Sequence, residues 1–180
     1  MENKAIKILA ISGSLRSSSS NSLIVRAIGN LVPGYVDYII YDKLGELPHF
    51  NDAAEIPASL KDWKEQIAAA DGVLICSPEY AFGVPGSLKN ALDWTVSSGE
   101  FVNKPVALIT ASTSGEKAHA SLLNTLSALS AQVVEDGTLL IPYIRSKLDD
   151  KDGIADKATL KLISTVVEAL LDAIALKRKR

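Results

Sequence analysis

Apolar runs alternate with stretches of helical spacing along almost the whole chain. Four of these runs predict strands, at residues 6–11, 36–41, 73–76 and 106–111, of which the first and the third are expected to be buried. A fifth strand is predicted from residues 133–134 and 138–141, with a turn or bulge at Asp136 and Gly137 between the two parts. The pattern therefore predicts five strands.

Segments with the period of a helix separate and follow these strands. After the first strand, Ile24, Ala27, Ile28 and Leu31 recur at positions i, i+3, i+4 and i+7. Further helices are predicted after Pro57, at residues 87–96, after residues 112–115 with Leu122, Leu126 and Leu129, and at about 156–176, whereas residues 42–57 form an irregular connection. The alternation predicts an α/β fold, a doubly wound parallel sheet of flavodoxin-like order 2-1-3-4-5 with helices on both faces.

Composition narrows the class of protein. The chain has 180 residues and 47% hydrophobic content, which predicts a single domain over residues 1–180. A net charge of −2 provides no field to attract nucleic acid or an anionic membrane, and no apolar run is long enough for a spanning helix. The single cysteine, Cys76, excludes an internal disulfide and a multi-cysteine metal site. We expect a cytoplasmic protein that binds no metal.

The loop after the first strand has the chemistry of an anion site. Residues 12–22 contain seven serines, one Gly, one Arg, one Leu and one Asn, and a helix begins directly after them. Free N–H groups and about half a positive charge are found at a helix N-terminus, and Arg16 adds a planar cation suited to a phosphate. The loop matches neither a Walker A motif nor a dinucleotide fingerprint. The alternative is a polar connection with Ser20 or Asn21 as helix N-cap.

Topology brings this loop together with two others. Ligands of an open parallel sheet bind outside the carboxyl ends of its strands, so the loops at residues 12–22, 77–86 and 112–115 should converge on one crevice. The second loop combines Pro78 and Pro85 with Tyr80 and Phe82, which offers a wall and main-chain partners to a flat heteroaromatic ring. The alternative is a proline-rich turn whose aromatic residues only cover the core.

Two motifs in this order, GSLRSSSSNS and PEYAFGVPGSLKNALDW, resemble the NADPH-dependent FMN reductase family of flavodoxin-like quinone, azo-dye and chromate reductases. The resemblance implies non-covalently bound FMN, with NADPH or NADH as co-substrate. It assigns the phosphate to the first loop, at Ser14, Arg16, Ser20, Asn21 and Ser22. It assigns the isoalloxazine ring to Pro78, Glu79, Tyr80, Ala81, Phe82 and Gly83, with Ser112 and Gly115 on the other side. Many family members carry Asn where this chain has Ala81.

The activity that the resemblance implies is hydride transfer from NAD(P)H to flavin N5, and then to a small-molecule acceptor in ping-pong order. No catalytic side chain is required, because the flavin performs the chemistry. The same resemblance implies a homodimer or homotetramer. The alternatives are a flavodoxin-type carrier of single electrons and a nucleotide-binding protein without redox activity. The net charge of −2 favours the enzyme, because carriers present strongly acidic docking surfaces.

Several other residues permit two interpretations. Cys76 at the end of a buried strand is predicted to be a core residue, with a redox role as the alternative. His119 is either a ligand contact or a surface or capping residue, and His49 lies at the site or at a subunit contact. Glu79 is expected to orient its loop and not to act as a base. The basic run at residues 177–180 is predicted to be a solvated helix end, with a localisation signal as the alternative.

Overall fold

The computed structural model describes residues 5–16, 18–51, 55–149 and 153–179. Five parallel strands form one sheet in the order β2-β1-β3-β4-β5, which confirms the flavodoxin-like topology. The strands are β1 (Ile6–Ser12), β2 (Val36–Tyr41), β3 (Gly72–Ser77), β4 (Pro105–Ala111) and β5 (Gln132–Ile141). Every residue of β3 and β4 is buried, as expected for apolar runs in the centre of a parallel sheet.

Five α-helices cover the two faces of this sheet. They are α1 (Ser20–Gly29), α2 (Ala58–Ala69), α3 (Gly86–Asp93), α4 (Glu116–Ala128) and α5 (Lys157–Arg178), with 3-10 turns at Leu44–Glu46 and Ile144–Lys147. The apolar stripes of α1 and α5 pack on one face, and those of α2, α3 and α4 pack on the other. The predicted stripe of α2 is buried at all four positions: Leu60, Trp63, Ile67 and Ala70.

The predicted interruption of β5 is a bulge. Val133 pairs with Val106, but the next paired residue, Thr138, lies opposite Leu108, so several residues of β5 loop out against Ala107. Gly137 is needed in this bulge, since a Cβ there would lie 2.7 Å from the Cβ of Val134. The bulge lets β5 rejoin β4 in register and carry its carboxyl end to the same edge as the other strands.

Three predicted boundaries are wrong. Helix α1 ends at Gly29, so Leu31 continues the helical spacing but is partly exposed. Helix α3 ends at Asp93, which leaves Val96 exposed. The connection at residues 42–57, predicted to have no element, contains the 3-10 turn Leu44–Glu46. Periodicity alone does not reveal where a helix loses its hydrogen bonds, and one 3-10 turn is too short for a periodic signal.

The same connection is attached to α3. Asn90 donates from Nδ2 to the carbonyl of Pro48 at 3.0 Å and accepts at Oδ1 from the amide of Phe50 at 2.7 Å. The Trp94 indole donates to the same carbonyl at 2.8 Å, and its ring meets that of Phe50 edge-on at 5.0 Å. The long connection therefore has fixed contacts on the side of the sheet that carries α2 and α3.

We call the end of the sheet where the strands begin the amino edge, and define it by Asp71, Lys104 and Arg178. Arg178 donates from Nη2 to Asp71 at 2.7 Å and to the Ala5 carbonyl at 2.8 Å, and Asp71 also accepts from the Lys7 amide at 2.8 Å. The prediction that the basic run is only solvated is therefore wrong for Arg178, because α5 ends beside a carboxylate. Arg180 lies outside the described residues. Within the described chain, no helix has the length and apolar character needed to cross a bilayer.

Candidate active site

The opposite end of the sheet, which we call the carboxyl edge, surrounds a cavity of about 490 Å³. Four segments line it: Arg16 with residues 18–21 from the first loop, residues 78–80 after β3, residues 111–113 after β4, and residues 143–146 after β5. The three loops that were predicted to converge therefore do so, and a fourth joins them. We call this space the main cavity.

The first loop presents the N-terminus of α1 to the main cavity. Ser19 is the N-cap, one residue before the predicted candidates Ser20 and Asn21, and its Oγ accepts from the Asn21 amide at 3.2 Å. The Arg16 side chain is exposed and has no ion-pair or hydrogen-bond partner among the described residues. Free amide groups of the first helical turn and an unpaired guanidinium form a site that can hold a dianion.

The side chain of Asn21 anchors the first loop to the sheet. Its side chain is 2% exposed, donates from Nδ2 to the Ala111 carbonyl at 3.0 Å and accepts from Cys76 Sγ at 3.2 Å. Both ends of the amide are therefore engaged inside the protein and tie the loop to β3 and β4. Cys76 is fully buried, and burial raises the pKa of its thiol.

The predicted phosphate ligands divide between two cavities. Ser20 and Asn21 line the main cavity, whereas Ser14 and Ser22 line a second cavity of about 290 Å³ on the other side of the loop. Arg16 lines both cavities. Ser14 Oγ lies 2.9 Å from the Tyr80 hydroxyl and Ser22 Oγ lies 3.0 Å from that of Ser12, so each already has a protein partner. Sequence position alone could not separate the two sides of one loop.

The second loop contains a tight turn with an unusual backbone. Tyr80 and Gly83 exchange both main-chain hydrogen bonds, at 3.0 and 2.9 Å, around Ala81 and Phe82. Both central residues have positive φ angles, 49° and 60°, which defines a type I′ turn that normally requires Asn or Gly. Pro78, Glu79 and Tyr80 line the main cavity, whereas Ala81, Phe82 and Gly83 lie beyond its wall.

Glu79 joins the second loop to the third. Its carboxylate accepts from the Ala118 amide at 2.9 Å, the Ser114 hydroxyl at 2.9 Å and the Gly115 amide at 3.3 Å, and so caps the N-terminus of α4. These bonds, led by that from Ala118, hold the pKa of the carboxyl below its usual range. This geometry agrees with the predicted orienting role. Ser112 lines the main cavity, but Gly115 does not.

The segment after β5 was missed by sequence analysis. Tyr143 has a φ angle of 53° and its amide donates to the Thr113 carbonyl at 3.1 Å, while the Ile144 amide donates to the Ser112 carbonyl at 3.2 Å. Tyr143 and Arg145 consequently stand on the wall of the main cavity. The sequence contained a signal for this segment, because Tyr143 and Arg145 follow a strand. Ligands bind at the carboxyl ends of parallel strands, which is the rule that selected the other loops.

The two histidines lie outside the main cavity wall. His119 Nδ1 lies 2.9 Å from the Thr110 hydroxyl, and burial lowers the pKa of its imidazole. His49 lies in the connection that is fastened to α3, and its carbonyl accepts from Asn51 at 2.9 Å. The contact with Thr110 connects His119 on α4 to β4, a role that neither of the two sequence interpretations described.

A five-stranded doubly wound parallel sheet in the order 2-1-3-4-5 defines the flavodoxin-like class of proteins. The model of the NADPH-dependent FMN reductase family matches residues 6–145, and the chain belongs to this family. The match confirms the family, the oxidoreductase class and FMN as cofactor, all of which the two sequence motifs implied.

Individual relatives agree with this assignment. The chain is 34% identical over 173 residues to an NAD(P)H-dependent FMN reductase of Pseudomonas aeruginosa, covering 92% of this chain and 93% of the relative. It is 29% identical over 168 residues to a quinone reductase of Escherichia coli K12, covering 88% and 89%. Among solved structures, the flavoenzyme NAD(P)H:(acceptor) oxidoreductase FerB from Paracoccus denitrificans superposes with a TM-score of 0.78 at 28% identity, covering 95% of this chain and 98% of that one.

Proposed function

We propose that this protein holds FMN in the main cavity and uses it to transfer two electrons from NADPH or NADH to a small-molecule acceptor. Quinones, azo dyes, chromate and free flavin are the acceptor classes that the family resemblance suggests. The observation that carries the proposal is the meeting of an unpaired Arg16, the α1 N-terminus and the second loop around one cavity of about 490 Å³.

The donor set matches a phosphate monoester. Arg16 supplies a guanidinium that has no partner among the described residues, and the first turn of α1 supplies N–H groups beside the hydroxyls of Ser18 and Ser20. We assign the FMN phosphate to these groups. The side chain of Asn21 contributes by holding the loop in place, because its amide is bonded to Ala111 and Cys76. For Ser14 and Ser22 the proposed contact is weaker than for Ser20, since they line the second cavity.

The flavin ring is assigned to the second and third loops. Pro78, Glu79 and Tyr80 form one wall, and Ser112 borders it with an Oγ that accepts from the Glu79 amide at 3.3 Å. Ala81, Phe82, Gly83 and Gly115 shape these loops from outside the cavity. Because Glu79 also ties the second loop to α4, the position of this wall is fixed. A largely preformed wall of this kind suits a planar ring.

FMN held by these residues would supply the redox chemistry, which is hydride transfer from NAD(P)H to the acceptor in ping-pong order. The protein contributes binding and orientation. Arg16 and the α1 N-terminus anchor the phosphate end, and the rigid second loop fixes the ring end.

The predicted homodimer or homotetramer is supported by apolar side chains that remain exposed at the carboxyl edge, including Leu15 and Phe82. The cytoplasmic location stays a prediction.

One experiment separates the reductase from a one-electron carrier. Protein loaded with FMN is mixed anaerobically with NADPH or NADH, and the oxidised flavin band is followed at about 450 nm. The reductase loses this band rapidly in one step and regains it when a quinone is added. A carrier keeps its colour with NAD(P)H and forms a stable half-reduced state with a chemical reductant. Failure to bind FMN at all would contradict both.

A further inference from the structure

Two arginines, Arg16 and Arg145, are among the residues that line the main cavity. Neither side chain has an ion-pair or hydrogen-bond partner among the described residues. The acidic residue on the same walls is Glu79, whose carboxylate is engaged by Ala118, Ser114 and Gly115. The lining of the main cavity therefore includes two cationic side chains, neither of which contacts an anionic side chain among the described residues.

The backbone that carries Arg145 is held firmly. Ile144 is buried to 4% exposure, and its amide bonds to Ser112. On either side, the Tyr143 amide bonds to Thr113 and the Ser146 amide bonds to the Tyr143 carbonyl at 3.0 Å. Tyr143 adopts a left-handed conformation with φ of 53°, which is uncommon for an aromatic residue and occurs most often at functional sites. Arg145 thus projects from a turn that is fixed to the third loop.

The volume of the cavity is compatible with a single ligand that meets both charges. About 490 Å³ lies within the range for ligand sites and fits one mononucleotide. A mononucleotide carries a single phosphate dianion. A dianion that contacts both guanidiniums offsets the repulsion between their like charges.

We propose that Arg145 is a phosphate-binding residue that closes the cradle from the β5 side, contacting the same dianion as Arg16. This inference rests on the proposed function, because it takes the bound mononucleotide to be FMN. The cradle is then built from both ends of the chain, from the first loop and from the 3-10 turn Ile144–Lys147. Two planar forks on opposite sides of a phosphate fix its position better than one.

The test compares FMN with riboflavin, which lacks the phosphate. Dissociation constants for both flavins are measured by fluorescence quenching on the wild type, Arg145→Gln, Arg16→Gln and the double variant. Arg145→Gln should weaken FMN binding about tenfold or more, as expected for one charge-assisted bond, and change riboflavin binding less than about twofold. Arg26→Gln is the matched control, since Arg26 is exposed on α1 and lines the second cavity instead.

Each other outcome overturns the inference. Unchanged FMN affinity in Arg145→Gln would show that Arg145 does not touch the phosphate. Equal losses for FMN and riboflavin would place its contact on the ring or the ribityl chain. A loss in Arg26→Gln as large as that in Arg145→Gln would indicate general charge or a phosphate in the second cavity. Failure of the wild type to bind FMN would instead refute the proposed function, so the two failures are distinguishable.

Discussion

Charged side chains have protein partners at the amino edge of the sheet, whereas two arginines at the carboxyl edge have none among the described residues. At the amino edge, Arg178 pairs with Asp71, and the Lys104 ammonium donates to the Ala68 and Ala70 carbonyls at the end of α2. At the carboxyl edge, Arg16 and Arg145 have no partner among the described residues. Paired charges contribute to folding, whereas unpaired ones are available to a ligand. The pairing of charged side chains therefore differs between the two ends of one sheet.

The backbone shows the same division. At the amino edge, Ser130 has a φ angle of 55° as part of an ordinary Schellman ending of α4, in which the Ala131 amide bonds to the Leu126 carbonyl at 3.0 Å. At the carboxyl edge, Ala81, Phe82 and Tyr143 adopt left-handed conformations without the residue types that favour them. The carboxyl edge therefore accepts a cost in folding energy to hold a particular shape.

The largest effect is expected from breaking the amino edge with Asp71→Ala. This change removes the carboxylate that Arg178 contacts and leaves the Lys7 amide without its acceptor. Because the pair is partly exposed, we expect a loss of roughly 1–2 kcal/mol in the free energy of unfolding. Urea denaturation measures the loss, and a parallel titration with FMN should show unchanged affinity.

Asp71→Asn serves as the control for this prediction. The Asn side chain can still accept from the Lys7 amide but loses its charge, so its effect should be smaller than that of Asp71→Ala. A fall in FMN affinity that parallels the loss of stability, measured under conditions where the protein stays folded, would show that the two edges are not independent.

Most of the fold was predictable because it depends on periodicity. The apolar runs identified all five strands, and the spacing of Leu60, Trp63 and Ile67 identified the buried face of α2. The bulge at Gly137 was also predictable, since Asp-Gly interrupts an otherwise apolar strand. Alternation of strands and helices then restricts the topology to a few arrangements.

The site was predictable only in part. The rule that ligands bind at the carboxyl ends of parallel strands located the convergence of three loops. It could not determine that the Asn21 side chain turns inward to Ala111, or that Ser14 and Ser22 line the second cavity. Such details depend on rotamers and on contacts between distant segments. Arg145 also follows a strand and could have been selected in the same way, but the hydrogen bonds that fix its turn to the third loop join distant residues and could not be predicted.

A gain in the free energy of unfolding, smaller than the loss expected for Asp71→Ala, is expected from a change at the carboxyl edge. Replacing Ala81→Asn together with Phe82→Gly gives the tight turn the residues that a type I′ turn prefers, so the stability should rise by about 1 kcal/mol. Thermal melting measures the gain. Ala81→Val is the control, because a β-branched residue is disfavoured at positive φ and should lower the melting temperature. A double variant no more stable than the wild type would mean that this turn stores no strain.

The smallest effect concerns the pH dependence contributed by Glu79, which links two loops of the carboxyl edge. Its pKa lies below the usual value of 4.5 in the folded protein, chiefly because the Ala118 amide donates to the charged carboxylate. A carboxyl group whose pKa is lower in the folded than in the unfolded protein stabilises the fold at a pH above its unfolded-state pKa. This stabilisation disappears as the pH falls through its folded-state pKa. We therefore expect the wild type to be more stable than Glu79→Gln at neutral pH, by an amount that shrinks below pH 4.5.

Measuring the difference between these two proteins isolates Glu79 from other acidic groups. The pKa of Asp156, which caps α5, is also lowered, by its bonds to Thr159, and it would make any single protein lose stability in acid. Because Asp156 is present in both proteins, its contribution cancels in the difference. A difference that stays constant from pH 7 to pH 3 would mean that the charge on Glu79 does not hold the second loop to α4. The fixed walls of the main cavity would then need another cause, such as the bond from the Glu79 amide to Ser112.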